Sequence, residues 1–292
     1  MTEIINSFSP AVQRLWNLMN PCVICPRNCR VNRSKGELGF CGIGDSPVVS
    51  SQGPHFGEEN VLVGKGGSGT IFFAGCNLNC EFCQNYDISH FRRGQPITLN
   101  ELADFMLELQ SYGCSNINFV TPTHIAPAVA AGIEMARKKG LNLPTVYNSG
   151  GYDSVETLKL LDGYMDIYMP DVKFSDSASA KEFANAADYP EICFAALKEM
   201  HRQVGNLQVE KGLAKRGLLV RHLVLPDKVA GSFKMIDFLA EQISPNTSIN
   251  VMDQYRPCFK ASSHPKINRR PTPEEVEEVR QHALKKGLNL IA

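Results

Sequence analysis

"GTIFFAGCNLNCEFCQN", residues 69–85, decides how this chain is read. Its first half is an apolar run of β-branched and aromatic residues, the pattern of a strand covered on both faces. Its second half places Cys76, Cys80 and Cys83 in the spacing C-x3-C-x2-C. Three thiolates are one short of the four that close a structural zinc site or fully ligate a four-iron cluster. Thiolate-only ligation suits iron–sulfur chemistry better than catalytic zinc, because three clustered thiolates make a redox-silent metal a poor Lewis acid. In a four-iron cluster the same shortfall leaves one iron without a protein ligand, open to a substrate.

Working outward, the strand pattern recurs. The runs "GTIFFAG" (69–75), "INFVTP" (117–122), "PTVYNS" (144–149), "DIYMPDV" (166–172), "LLVRHLVL" (218–225) and "SINVMDQY" (248–255) are candidate strands. Amphipathic helices with readable ends lie between them. Thr98 and Glu101 form a capping-box pattern, followed by Leu102, Phe105, Met106 and Leu109 on one face. A second helix runs to Gly140, and a third starts at Thr272-Pro273 with Glu275 at N3 and stops at Gly287. Six strand–helix units in series predict an α/β fold with a parallel sheet and right-handed crossovers. Six units fit a doubly wound sheet or a partial barrel, and in both, ligands collect beyond the C-terminal strand ends. Residues from 76 onward, 121–124, 148–151, 171–173, 225–226 and 254–258 therefore belong on one face.

The chain has 292 residues, 43% of them hydrophobic, enough for one large α/β core. With 30 basic against 30 acidic residues, net charge draws it to no nucleic acid. No apolar run approaches the roughly 18 residues of a membrane span, and the first 20 residues do not read as a signal peptide, so a cytoplasmic protein is expected. Ten cysteines in that compartment are reduced thiols, and seven of them fall within residues 22–83. "CVICPRNCRVNRSKGELGFCG" carries Cys22, Cys25, Cys29 and Cys41, spaced C-x2-C-x3-C-x11-C. Residues 1–68 thus read as a Cys-rich N-terminal extension ahead of a core at 69–292. Four thiols complete a closed site, either zinc as a structural staple or a second iron–sulfur cluster as an electron relay. Arg27, Arg30, Arg33 and Lys35 interleave with them and offset thiolate charge. Cys114 and Cys193 read as structural. Cys258, past the last strand, is a loop cysteine or a ligand to a second centre.

The motif Cys76-x3-Cys80-Glu81-Phe82-Cys83, with an aromatic residue before the third cysteine, resembles the signature of the radical S-adenosylmethionine (SAM) superfamily. With "TPTH" (121–124), "YNSGGYD" (147–153), "MPDVK" (169–173), "VRHLVLP" (220–226) and "DQYRP" (253–257), the chain from about residue 20 to 290 looks like the pyruvate formate-lyase activating enzyme-like branch. The resemblance implies a partial (β/α)6 TIM-type barrel and a [4Fe-4S] cluster on Cys76, Cys80 and Cys83 whose open iron binds SAM. One electron would cleave SAM to methionine and a 5′-deoxyadenosyl radical that abstracts hydrogen. Phe82, Asn148, Ser149, Asp171, Lys173 and Arg221 are the implied cofactor contacts. A monovalent cation would lie by Asn148, Ser149, Met169 and Asp171. The implied partners are a flavodoxin- or ferredoxin-type electron donor and, as substrate, a glycine of a glycyl radical enzyme.

Each position also has a plainer reading. Asp171 and Lys173 fit an ordinary ion pair or cap, and the Asn148-Ser149-Gly150-Gly151 stretch fits a tight turn. Arg221 and His222 must face opposite sides of their strand. His124, just past the second strand, is a candidate proton-transfer residue. "TPTH" stands where many superfamily members carry a glycine-rich motif, and "GKGGSG" (64–69) lacks the full pattern of a phosphate loop. Radical modification of a small molecule or another peptide stays open as an alternative. So does an iron–sulfur or zinc protein without radical chemistry.

Overall fold

Strand order follows chain order, and that selects the barrel over the doubly wound sheet. The computed structural model describes residues 5–291. Its strands are β1 (Val48–His55), β2 (Ser68–Phe73), β3 (Gln95–Pro96), β4 (Ile117–Val120), β5 (Thr145–Ser149), β6 (Ile167–Pro170), β7 (Gln208–Glu210), β8 (Leu213–Leu223), β9 (Ser248–Met252) and β10 (Asn289–Leu290). They form one sheet in the order β10-β9-β8-β6-β5-β4-β2-β1-β3, with β7 paired to β8. From β2 to β10 every neighbour along this path is parallel, with no reversal of order. Right-handed crossovers between strands added always on the same side put the connecting helices on one face, so the sheet curls into a partial barrel.

All six anticipated strands are present; β8 starts at Leu213, earlier than its apolar run. The helices Leu99–Ser111 and Pro273–Lys285 both begin with complete capping boxes, on Thr98 with Glu101 and on Thr272 with Glu275. Of the additional strands, β1, β3 and β10 sit at the sheet's flanks, and β7 pairs antiparallel with β8. β1 is antiparallel to β2, and β3 pairs antiparallel with β1. The Cys-rich segment ahead of β1 shares one hydrophobic cluster with the barrel, in which Val12, Leu15, Trp16 and Ile43 join Phe73 and Phe119.

Alternation along the strands separates two apolar layers. Outward residues such as Phe73, Phe119, Tyr147, Tyr168 and Val220 pack under the helices. Inward ones, Val146, Ile167, Met169 and Leu219, enclose a second cluster together with Leu62 and Ala214. Leu62 comes from the short helix Asn60–Val63, whose carbonyl end is tied to the barrel by Asn116 Nδ2 donating to Leu62 O (2.8 Å) and Ser115 Oγ to Val63 O (3.1 Å). Above this plug the register aligns Phe72, Val120, Asn148 and Met169 across β2, β4, β5 and β6. Asp171, Arg221 and Asn250 are likewise aligned one level higher. The C-terminal strand ends thus meet around a common opening.

Candidate active site

That opening holds two adjoining cavities. One, of about 330 Å³, is lined by Cys76, Cys80 and Cys83 together with Thr121, Asn148, Ser149, Asp171, Lys173 and Arg221. The other, of about 240 Å³, shares Cys80, Cys83, Asp171, Lys173 and Arg221 and adds Phe82, Leu223, Leu225 and Met252. All three loop cysteines and the six anticipated contact residues therefore lie around one space. Phe82 is buried, its ring edge-on to Phe174 and Tyr255 at 6.0 Å each.

Of the loop thiols Cys80 is buried and Cys76 and Cys83 are partly so, each held by specific contacts. Burial pushes Cys76 up to about 11, with the Leu78 N–H, 3.4 Å from its Sγ, pulling the other way. Burial also raises Cys80, while the nearby Lys173 ammonium opposes that rise. Cys83 Sγ lies 3.1 Å from Ser89 Oγ. Burial works against the charge on Lys173, yet Asp171, whose Oδ2 accepts from Nζ at 2.8 Å, and the Cys80 sulfur outweigh it and raise its pKa. The lysine is therefore a fixed cation beside the thiols.

Arg221 points inward as the alternation requires, but it is not a free cation. Its Nε donates to Glu59 Oε1 (2.7 Å) and its Nη2 to Glu59 Oε2 (2.6 Å) and to Glu58. Asn250 Nδ2 also donates to Glu59 Oε1 (2.8 Å). Burial disfavours the Glu59 carboxylate, but the Arg221 hydrogen bond and charge override it and hold the carboxyl below its ordinary value. Sequence reasoning missed these acids; the only local signal was the pair itself ahead of an apolar turn.

The loops after β4 and β5 are braced from outside. Asp153 is buried and accepts from Ser149 Oγ (2.6 Å), Thr123 Oγ1 (2.7 Å) and the Tyr147 hydroxyl (3.0 Å). Burial raises its pKa, and the three donors pull it back. Ser149 lies on the outward parity, so its hydroxyl serves this brace although the residue borders the cavity. Of the two threonines in "TPTH", Thr121 alone borders the cavity. It has φ 60°, a left-handed conformation costly for a β-branched residue.

The anticipated role of His124 is not supported by its position. The ring is fully buried, Nε2 is 2.9 Å from Ala74 O, and burial with the charge of Arg33 pushes its pKa down to about 3. It borders neither cavity. His222 faces the helices, bonded to Val172 O (2.7 Å) and Ser232 Oγ (2.8 Å). Cys193 is buried in the helix Tyr189–Val204, and Cys258, half-buried in the loop after β9, borders neither cavity.

The N-terminal cysteines form a second group. The Cys22 N–H donates to Val31 O and the Arg30 N–H to Cys22 O, both at 2.9 Å, so the chain folds back on itself between them. The Phe40 N–H donates to Cys29 Sγ (3.2 Å), which brings Cys41 alongside. Burial pushes Cys25 up to about 12, and the charges of Cys41, Cys22 and Cys29 add to that rise. Among the described residues, no three His, Cys, Asp or Glu side chains stand close enough to grip a single metal ion, in this group or in the loop at 76–83.

A four-iron cluster with SAM fits the residues present at the loop. The donors are three thiols, next to a space walled by a fixed cation, carboxylates and an amide. The comparisons with known proteins agree. The family described as the radical SAM superfamily matches residues 70–206. An uncharacterized protein of Methanocaldococcus jannaschii, MJ0674, is 35% identical over 285 residues, covering 94% of this chain and 78% of that protein. A second from the same organism, MJ0808, is 25% identical over 92% of this chain and 79% of its own length. Among solved structures, a radical SAM methyltransferase from Sphaerobacter thermophilus superposes with a TM-score of 0.52 at 14% identity, over 76% of this chain and 65% of that one. Streptococcus suis SuiB gives 0.50 at 13%, over 74% and 46%. This chain thus spans under two thirds of either structure, and at such identities the likeness is one of fold. Among the described residues no helix is long and apolar enough to cross a membrane.

Proposed function

Because the chain belongs to the radical SAM superfamily, we propose that Cys76, Cys80 and Cys83 hold its [4Fe-4S] cluster and that the enzyme abstracts hydrogen from a glycine of a partner protein. The cluster, when bound and reduced, supplies the electron that splits SAM into methionine and a 5′-deoxyadenosyl radical. The observation that carries this reading is the three-thiol loop facing the larger cavity, with Lys173 and Asp171 beside it.

The chain's own residues position and shield. Lys173 offsets thiolate charge at Cys80. Asp171, Asn148 and the strand-end carbonyls offer acceptors suited to an ammonium group or a monovalent cation. Glu59 and Glu58 hold Arg221 against the wall, and the aliphatic plug beneath excludes water from the lumen. Support for a protein substrate comes from outside the cysteine loop. Tyr86 stacks on Phe259 at 5.3 Å, and Phe91, 56% exposed, stands edge-on to both. This aromatic cluster, next in the chain to the cavity-lining residues Asn85, Ile88 and Ser89, suits contact with a polypeptide. A small-molecule substrate is favoured instead by the second cavity, where Phe82, Leu223, Leu225 and Met252 offer an apolar seat. A low-potential donor of the flavodoxin or ferredoxin class completes the scheme.

The test is anaerobic reconstitution, reduction and addition of SAM, with 5′-deoxyadenosine measured. Its formation is expected, and its absence from a loaded, reduced protein supports a metal-binding or electron-transfer role instead. Peptides and proteins carrying α-deuterated glycine then identify the substrate class. Deuterium recovered in 5′-deoxyadenosine supports the glycine reading, and recovery only from labelled small molecules replaces it.

A further inference from the structure

The N-terminal cysteines are the motif that the proposed reaction leaves unused. Cys22, Cys25 and Cys41 are buried, Cys29 is partly so, and all four are free thiols. Their surroundings are shaped for sulfur. The Phe40 N–H meets Cys29 Sγ at 3.2 Å, and a Cβ on Gly39 would come within 2.9 Å of the same sulfur. Arg33 is 1% exposed, and its guanidinium donates only to carbonyls, to Gly44 O from Nε (2.9 Å) and Nη2 and to His124 O from Nη1 (2.6 Å). A buried cation with no carboxylate partner is costly unless another anion stands near. Arg27 adds a second cation, 3.8 Å above the Phe40 ring, with a buried Nη2 that has no partner.

Zinc would draw four sulfurs to about 3.8 Å from one another, given a Zn–S distance of about 2.3 Å. The thiols here do not close on a single ion, which they share with the loop at 76–83. We propose that Cys22, Cys25, Cys29 and Cys41 ligate a second iron–sulfur cluster, of the four-iron type, that passes single electrons to the cluster on Cys76, Cys80 and Cys83. The electron path rests on the function proposed above; the site itself does not. The backbones of the two segments adjoin. A Cβ on Gly75, next to Cys76, would lie 2.9 Å from Cys41 O, and Arg92 Nε donates to that same carbonyl at 3.1 Å. One electron enters from a flavodoxin- or ferredoxin-class donor and takes the second cluster from its 2+ to its 1+ state. The same electron then moves to the neighbouring cluster and restores the 2+ state, with no bond broken and no proton moved.

The experiment uses the full chain, reconstituted anaerobically, with iron, acid-labile sulfide and zinc counted and electron paramagnetic resonance spectra recorded after reduction. The triple variant Cys76→Ala/Cys80→Ala/Cys83→Ala is expected to keep about four iron and four sulfide, with a signal that SAM does not move. Wild type should hold about twice that content, with a spectrum broadened by coupling between the clusters. Cys22→Ala/Cys25→Ala should return to about four iron, with the coupling gone. A triple variant carrying no iron, or one zinc, overturns the site, whether or not the double variant folds. A wild-type spectrum equal to the plain sum of the two variants overturns the electron path. If the triple variant keeps its iron while wild type never cleaves SAM, the proposed function fails and the site stands.

Discussion

The two cysteine groups differ in what surrounds them. The loop at 76–83 offers three thiols to a cavity of about 330 Å³, beside a lysine that has its own carboxylate. Cys22, Cys25, Cys29 and Cys41 offer four, border neither cavity, and adjoin an arginine that has only carbonyls. An incomplete ligand set facing open space is built to bind something that comes and goes. A complete set packed into the core would, under the proposal above, hold one group permanently. The neighbouring cations follow the same division. Lys173 is paired with Asp171, whereas Arg33 donates only to carbonyls.

Cys83→Ala is the strongest way to break this contrast. Formation of 5′-deoxyadenosine should fall by roughly 10³-fold or more, about 4 kcal/mol, while iron on the N-terminal set persists. Loss of both together would make the two groups one unit. Glu59→Gln tests the cavity wall alone and should cost about 3 kcal/mol in urea unfolding, the low end for a broken buried pair because Glu58 still meets Arg221. The folded pKa of Glu59 lies below 4.5, so its contribution is fully present above that pH and is lost as pH falls through the folded value. The gap between wild type and Glu59→Gln should therefore narrow only on the acid side of pH 4.5. Lys173→Met removes the cation beside Cys80 and strands Asp171, and the rate of SAM cleavage should fall about 100-fold, about 2.7 kcal/mol. Arg33→Met is its counterpart, expected to cost about 2 kcal/mol of stability from the abandoned carbonyls and to lower iron retention at the N-terminal set alone. Equal loss of iron from both groups would erase the distinction between the two cations.

Much of this was legible because the signals are local. Six apolar runs, two capping boxes and a cysteine loop within eight residues need only their neighbours to be read. The positions at the strand ends, Asn148, Asp171 and Lys173, follow from the general rule for parallel sheets. The errors came from contacts far apart in the chain. Glu59 and Arg221 are 162 residues apart, and nothing near either one announces the pair. Asp153 closes the motif "YNSGGYD", whose glycines drew the reading of a turn, yet it engages Thr123, 30 residues away, and takes the Ser149 hydroxyl out of the cavity. His124 follows a strand just as the cavity residues do, but its ring turns outward to Ala74. The flanking strands β1, β3 and β10 are short or polar and form only because an existing edge is there to pair with.

By itself the sequence determined the barrel's repeating unit, the cysteine loop and its place after β2. Periodicity and spacing are properties of adjacent residues and survive without the fold. Only the tertiary structure decided which charges are free. Burial makes an unpaired ion expensive, so Arg221 was claimed by Glu59 and Glu58, Lys173 by Asp171, and Arg33 was left among carbonyls beside four thiols. Which side chains become partners depends on how the strands are brought together, and that arrangement exists only once the barrel has formed.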